Sequence, residues 1–201
     1  MDVETLKREH ASRKAEIRKR LEEFKRVGNP FYELCFCLLT PQSNAFRCDA
    51  CIQELHTKDF RNKELENLVK ILRKYTRFHR TKAKHLGLFK QNYENIRKSL
   101  DTLSTPAEKR TFLVENVKGL GLKEASHFLR NTGHEGLAIL DRHILKHLVE
   151  LKVIKKLPKS LTPKTYLKIE KKFQKFSKEI GIPMDEIDLT LWSHETGKVF
   201  K

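Results

Sequence analysis

No run of apolar residues in this chain approaches the ~18 needed to span a membrane, and the opening MDVETLKREH is charged where a secretory signal would carry its apolar segment. An intracellular location, in cytoplasm or nucleoid and without membrane attachment, is therefore the expectation. Strict alternation of apolar and polar residues, the mark of a half-buried strand, is also missing, as are internal repeats and long flexible linkers. Cysteine is scarce and confined to Cys35, Cys37, Cys48 and Cys51. The CxxC spacing of Cys48 and Cys51 admits a metal site or a disulfide. Cys35, however, shares a helical stripe with Phe31, Leu34 and Leu38, and a free cysteine commonly packs as a small hydrophobe. Packing is the simpler reading. Acidic residues are the last shortage: 26 Asp+Glu face 42 Lys+Arg, a formal charge of +16. That excess is the electrostatic footprint of a nucleic-acid binder, although hydrated surface lysines alone would give the same total.

What is present is helical spacing almost throughout. Ile17, Leu21 and Phe24 line a first helix whose other face is charged. Asn29-Pro30 starts a second over Phe31 to Leu38, broken at Thr40-Pro41-Gln42-Ser43-Asn44. A third covers Ala45 to Leu55, Leu65 to Leu72 define a fourth, and Leu86 to Leu100 a fifth. Between the last two lies YTRFHRTKAKH, basic with interleaved aromatics. It suits either a phosphate-facing segment in which Phe78 or Tyr75 stacks on a base, or a helix start with two core aromatics. Thr105-Pro106 with Glu108 opens a further helix. A hairpin at Lys118 to Leu122 leads into a helix from Lys123 to about Asn131, and Asp141 caps the next. Thr162-Pro163 begins a long helix carrying Tyr166, Ile169, Phe173, Phe176 and Ile180. The fold class is all-α, and 201 residues suffice for one domain or two small ones.

The hairpin carries the chemistry. In Lys118-Gly119-Leu120-Gly121-Leu122 the glycines permit the positive φ of a sharp turn and bare the backbone amides. Together with the amides of the following helix N-terminus, these can bind a phosphate. Lys123 stands where the macrodipole disfavours an ammonium ion. With partial desolvation its pKa is expected to fall and its neutral amine to become a nucleophile. A solvated or phosphate-contacting lysine is the plainer alternative. Asp141, eighteen residues later, is an ordinary helix cap taken alone. Returned to face Lys123, it can help deprotonate the amine and stabilise positive charge developing on a sugar.

VKGLGLKEASHFLRN followed by AILDRHI resembles the helix-hairpin-helix, Gly/Pro, Asp superfamily of DNA glycosylases. More narrowly, KEASHFLRNTG, LDRHIL and GKVFK resemble the archaeal and thermophilic type of 8-oxoguanine DNA glycosylase/lyase, over roughly Leu21 to Lys201. The resemblance implies two helical domains, 30–132 and 1–29 with 133–201, with the hairpin at the cleft between them. It makes Lys123 the Schiff-base nucleophile and Asp141 its catalytic carboxylate. Phe78 and Trp192 become the stacking pair of an extruded-base pocket. Lys201 matches a terminal residue whose carboxylate and side chain help distinguish 8-oxoguanine from guanine. Gln42 becomes the residue pushed into the gap left by the flipped base, where an amide can replace the lost pairing with cytosine. Lys118, Gly119 and Gly121 would hold DNA phosphate.

No metal or cofactor is implied, and the four-cysteine iron-sulfur motif of the endonuclease III and adenine glycosylase branches is absent, since no cysteine follows Cys51. Two positions depart from the type: PQSNAFRC replaces its usual Ala-Asn run with nearby glycines, and Ser193 stands where tyrosine is expected. The implied partner is double-stranded DNA with a damaged base, engaged by a monomer. The same chemistry on another damaged or mismatched base, and a non-catalytic helix-hairpin-helix DNA-binding module, remain open from sequence.

Overall fold

The computed structural model describes residues 1–201, which form ten α-helices and no strand. The chain divides into two compact units, one of Gly28–Phe128 and the other of Met1–Val27 with Leu129–Lys201. The second division falls within a helix, Leu122–Arg130, rather than after it. No helix is long and apolar enough to cross a membrane.

The continuous unit contains α2 (Phe31–Leu39), α3 (Ala45–Thr57), α4 (Leu68–Tyr75), α5 (His79–Thr102), α6 (Pro106–Asn116) and most of α7 (Leu122–Arg130). Its centre is α2. The sequence predicts one apolar stripe there, but Phe36, Cys37 and Leu39 are buried as fully as Phe31, Leu34, Cys35 and Leu38. A helix apolar all round must be surrounded, and α3 and α5 both pack on α2. Phe31 stacks on Phe89 at 5.2 Å and meets Tyr93 edge-on at 5.0 Å. Each such side chain contributes about 1.5–3 kcal/mol on burial. All four cysteines are free and buried within this core. Desolvation pushes Cys35 well above the ordinary thiol value, Cys48 to about 11 and Cys51 to about 12.

Local punctuation follows the side-chain chemistry closely. The Asn29 carboxamide accepts the Phe31 amide, Asn44 caps α3, and Thr105 with Glu108 forms a complete capping box on α6. Two boundaries differ from the sequence reading. Helix α4 starts at Leu68, not Leu65, and α5 starts at His79, not Leu86.

The discontinuous unit joins α1 (Val3–Lys25) to α8 (Arg142–Glu150), α9 (Pro163–Ile180) and α10 (Met184–Thr196). Helix α10 packs on α1, α8 and α9, yet no distinct helix is legible in that stretch because Asp185, Glu186 and Asp188 occupy buried positions. Each has a partner. Glu186 meets His10 at 2.5 Å and Arg18 at 3.1 Å, Asp188 meets Arg130 at 3.2 Å, and Asp185 accepts the Gly136 amide at 3.0 Å. Partnering removes the cost of several kcal/mol that unpaired burial would impose.

Candidate active site

The continuous unit holds the hairpin. After α6 the chain turns at Val117, with the Leu120 amide donating to its carbonyl at 3.1 Å. Leu120 drops into the core and leaves Lys118 and Gly119 exposed. Gly119 sits at φ +98°, and a Cβ there would run into the His85 imidazole. Glycine is thus required twice over, by backbone and by space. Burial and the charges of Lys118 and Lys84 hold His85 below the usual histidine value.

Lys123 is the second residue of α7, and its Nζ lies 3.1 Å from Glu124 Oε1. The other Glu124 oxygen accepts the Gly121 amide at 3.3 Å. One carboxylate therefore ties the lysine to the hairpin. Glu124 is absent from the residues singled out by sequence, since an acid in a first turn is ordinarily explained by the helix dipole. Its spacing of one from Lys123 and three from Gly121 was the available signal.

Two further predicted residues occupy turns of the same unit. Gln42 is the third residue of a turn closed by the Ser43 amide on the Thr40 carbonyl at 3.0 Å, and its φ is +53°. Phe78 precedes α5 at φ +54°, with 54% of its surface exposed and the Arg77 guanidinium 5.5 Å above its ring. Left-handed geometry costs a non-glycine residue about 1–2 kcal/mol, so both residues are held against local preference. An exposed Phe78 decides against the core reading of that aromatic. Tyr75 is half-buried, with its hydroxyl on Glu54 at 2.9 Å.

The other unit holds Asp141, Trp192 and Lys201. Asp141 caps α8, its Oδ1 accepting the amides of His143 and Ile144 at 2.8 Å each. The segment leading to it is tied down by buried side chains. Glu170 accepts the Ala138 amide at 2.8 Å. The Tyr166 hydroxyl donates to the Ala138 carbonyl at 2.5 Å and accepts the Leu140 amide at 3.3 Å. Asp185 anchors Gly136. Trp192 stacks on Phe200 with centroids 5.9 Å apart, and Lys201 Nζ lies 5.8 Å from that ring. Phe200 thus joins two predicted residues and was missed, because an aromatic so near the end of the sequence carries no periodic signal.

The hairpin glycines and the lysine that follows them lie on one unit, and the capping aspartate, at the end of a fastened loop, lies on the other. The profile of the 8-oxoguanine DNA glycosylase family matches residues 17–182. The chain belongs to that family. A relative in Fusobacterium nucleatum, an 8-oxoguanine DNA glycosylase/AP lyase, is 44% identical over all of this chain and 96% of its own length. The crystal structure of the 8-oxoguanine DNA glycosylase of Thermotoga maritima matches with a TM-score of 0.89 at 36% identity, covering 98% of this chain and 97% of that one. The Methanocaldococcus jannaschii glycosylase/lyase in complex with a 15mer DNA containing 8-oxoguanine matches with a TM-score of 0.85 at 38% identity, covering 94% and 93%. For a family member, the two units and the hairpin are the expected frame. The division of predicted residues is then Gln42, Phe78, Lys118, Gly119, Gly121 and Lys123 on one unit, and Asp141, Trp192 and Lys201 on the other.

Proposed function

We propose that this chain excises 8-oxoguanine from double-stranded DNA and then cleaves the strand, with Lys123 as the amine nucleophile and Asp141 as the carboxylate that serves it. It is a DNA glycosylase and AP lyase of base excision repair, in keeping with its family and with full-length relatives of that name. It acts as a monomer inside the cell.

Positive charge and the amides around Gly119 and Gly121, with Lys118, hold the phosphate backbone. Extruding the base costs a few kcal/mol, and Gln42 fills the gap. Phe78 stacks on the extruded base, and Trp192 and Lys201 contribute to its recognition. Lys123 Nζ bonds to the sugar C1′ as the glycosidic bond breaks and its electron pair leaves with the base. A proton lost from the amine passes to the departing base, directly or through Asp141, whose charge also stabilises the cationic sugar. Opening of the sugar forms a protonated imine. Loss of a C2′ proton then expels the 3′ phosphate by β-elimination, and water hydrolyses the imine to free the lysine.

The observation that carries this reading is the position of Lys123, directly after a glycine hairpin and fastened to it through Glu124. Borohydride should trap the protein covalently on 8-oxoguanine duplexes. Lys123→Gln should abolish trapping while retaining DNA binding, and persistent trapping in that variant would remove Lys123 from the nucleophile role. A panel of single-lesion duplexes, including uracil, mismatched thymine and oxidised pyrimidines, tests the choice of base.

A further inference from the structure

Lys82, on the second turn of α5, is only 4% exposed, and its hydrogen-bond partners are carbonyl and hydroxyl oxygens rather than carboxylates. Its ammonium group donates to the Leu39 carbonyl at 2.6 Å, the Pro41 carbonyl at 2.9 Å and Ser43 Oγ at 2.8 Å. Three donors meet three acceptors, all from the segment that presents Gln42. The same Ser43 hydroxyl accepts the Arg77 amide at 3.1 Å, immediately before Phe78. One buried amine therefore joins the only two turns in which a predicted DNA-contacting residue other than glycine is held left-handed. An apolar side chain would fill this position in an ordinary core, and a buried lysine is justified only by what it holds.

We infer that Lys82 is a positioning residue that sets the Gln42 turn and the Phe78 turn in the geometry that accepts an extruded base. The inference rests on the roles proposed above for Gln42 and Phe78. Strain in both turns is maintained while three hydrogen bonds oppose its release. Desolvation lowers Lys82 to about 8, and the cations Lys123 and Arg77 act in the same direction. Cys48 and Cys51 also face the amine, but burial keeps both thiols neutral in this range and they bring no opposing charge. A neutral amine has two donors, so deprotonation releases one of the three loop acceptors. The staple is complete below that value and loosens above it.

The test measures affinity for a duplex with 2′-fluoro-8-oxoguanosine opposite cytosine, which keeps the base but resists its excision, from about pH 6.5 to about 9.5. Wild type is expected to lose affinity as pH rises through about 8. Lys82→Met should bind about tenfold more weakly at pH 7 and show no such transition. In a background with both Gln42→Ala and Phe78→Ala, Lys82→Met should add less than about twofold. Should Lys82→Met not fold, Ser43→Ala, which removes the acceptor shared with Arg77, and the wild-type pH profile carry the test. If Gln42→Ala and Phe78→Ala bind as wild type, the roles of those residues and this inference both fall. If they bind weakly while Lys82→Met binds as wild type, or if wild-type affinity is level across the range, the inference alone falls.

Discussion

Glu124 places one carboxylate oxygen 3.1 Å from Lys123 Nζ and the other 3.3 Å from the Gly121 amide. The proposed nucleophile and the glycine hairpin are therefore tied together by a single side chain, which an isolated lysine at a helix start would lack. Glu124→Gln keeps an acceptor for Gly121 but removes the charge beside Lys123. Single-turnover trapping on 8-oxoguanine DNA should slow by about tenfold, equivalent to ~1.4 kcal/mol. DNA affinity should hold or rise, since a negative charge is removed. An unchanged trapping rate would show that Glu124 serves only the hairpin.

The two hairpin glycines should respond unequally to a methyl group. Gly119→Ala meets both a positive φ and the His85 ring, whereas a Cβ on Gly121 approaches only the flexible Glu124 carboxylate at 3.2 Å. We expect Gly119→Ala to cost about 1–3 kcal/mol and to weaken binding to undamaged duplex, with Gly121→Ala milder in both. Thermal melts and salt titrations of affinity would register the order, and equal effects would contradict it.

Asp141 caps its helix and is also the proposed catalytic carboxylate, two roles that substitution can separate. Asparagine caps a helix as well as aspartate does, whereas alanine costs roughly 1 kcal/mol. Asp141→Asn should therefore melt near wild type and yet lose most base excision, while Asp141→Ala loses both. Excision by Asp141→Asn at the wild-type rate would leave the residue with capping alone.

Tyr166→Phe removes the two hydrogen bonds that hold Ala138 and Leu140 ahead of Asp141, leaving the ring in place. A loss of about 1–2 kcal/mol in stability should accompany a lower kcat with KM little changed. A change confined to KM would argue against alignment of Asp141.

Burial that raises Cys35, Cys48 and Cys51 keeps their thiols protonated near neutral pH. A disulfide-exchange reagent at about pH 8 should label them only as fast as the protein opens, and denaturant should release all four at once. Rapid labelling of the native protein would contradict packing as their role.

The sequence alone determined the helical class, several helix caps and the candidate residues, because these depend on chemistry local to one turn. Thr105 with Glu108, Thr162 before Pro163, and Asp141 before its helix are all legible at a spacing of a few residues. Resemblance to the family drew Phe78, Trp192 and Lys201 into one hypothesis from remote parts of the chain. Tertiary structure decided what long-range partners alone can decide. Helix α10 became a buried element because His10, Arg18, Arg130 and the Gly136 amide meet its acids, and those partners lie 49 or more residues away in sequence. Lys82 reads as one more basic residue in RFHRTKAKH, since nothing within its own helix reveals that the carbonyls of Leu39 and Pro41 await it. A buried charge is legible only with its partners, and folding brings them together.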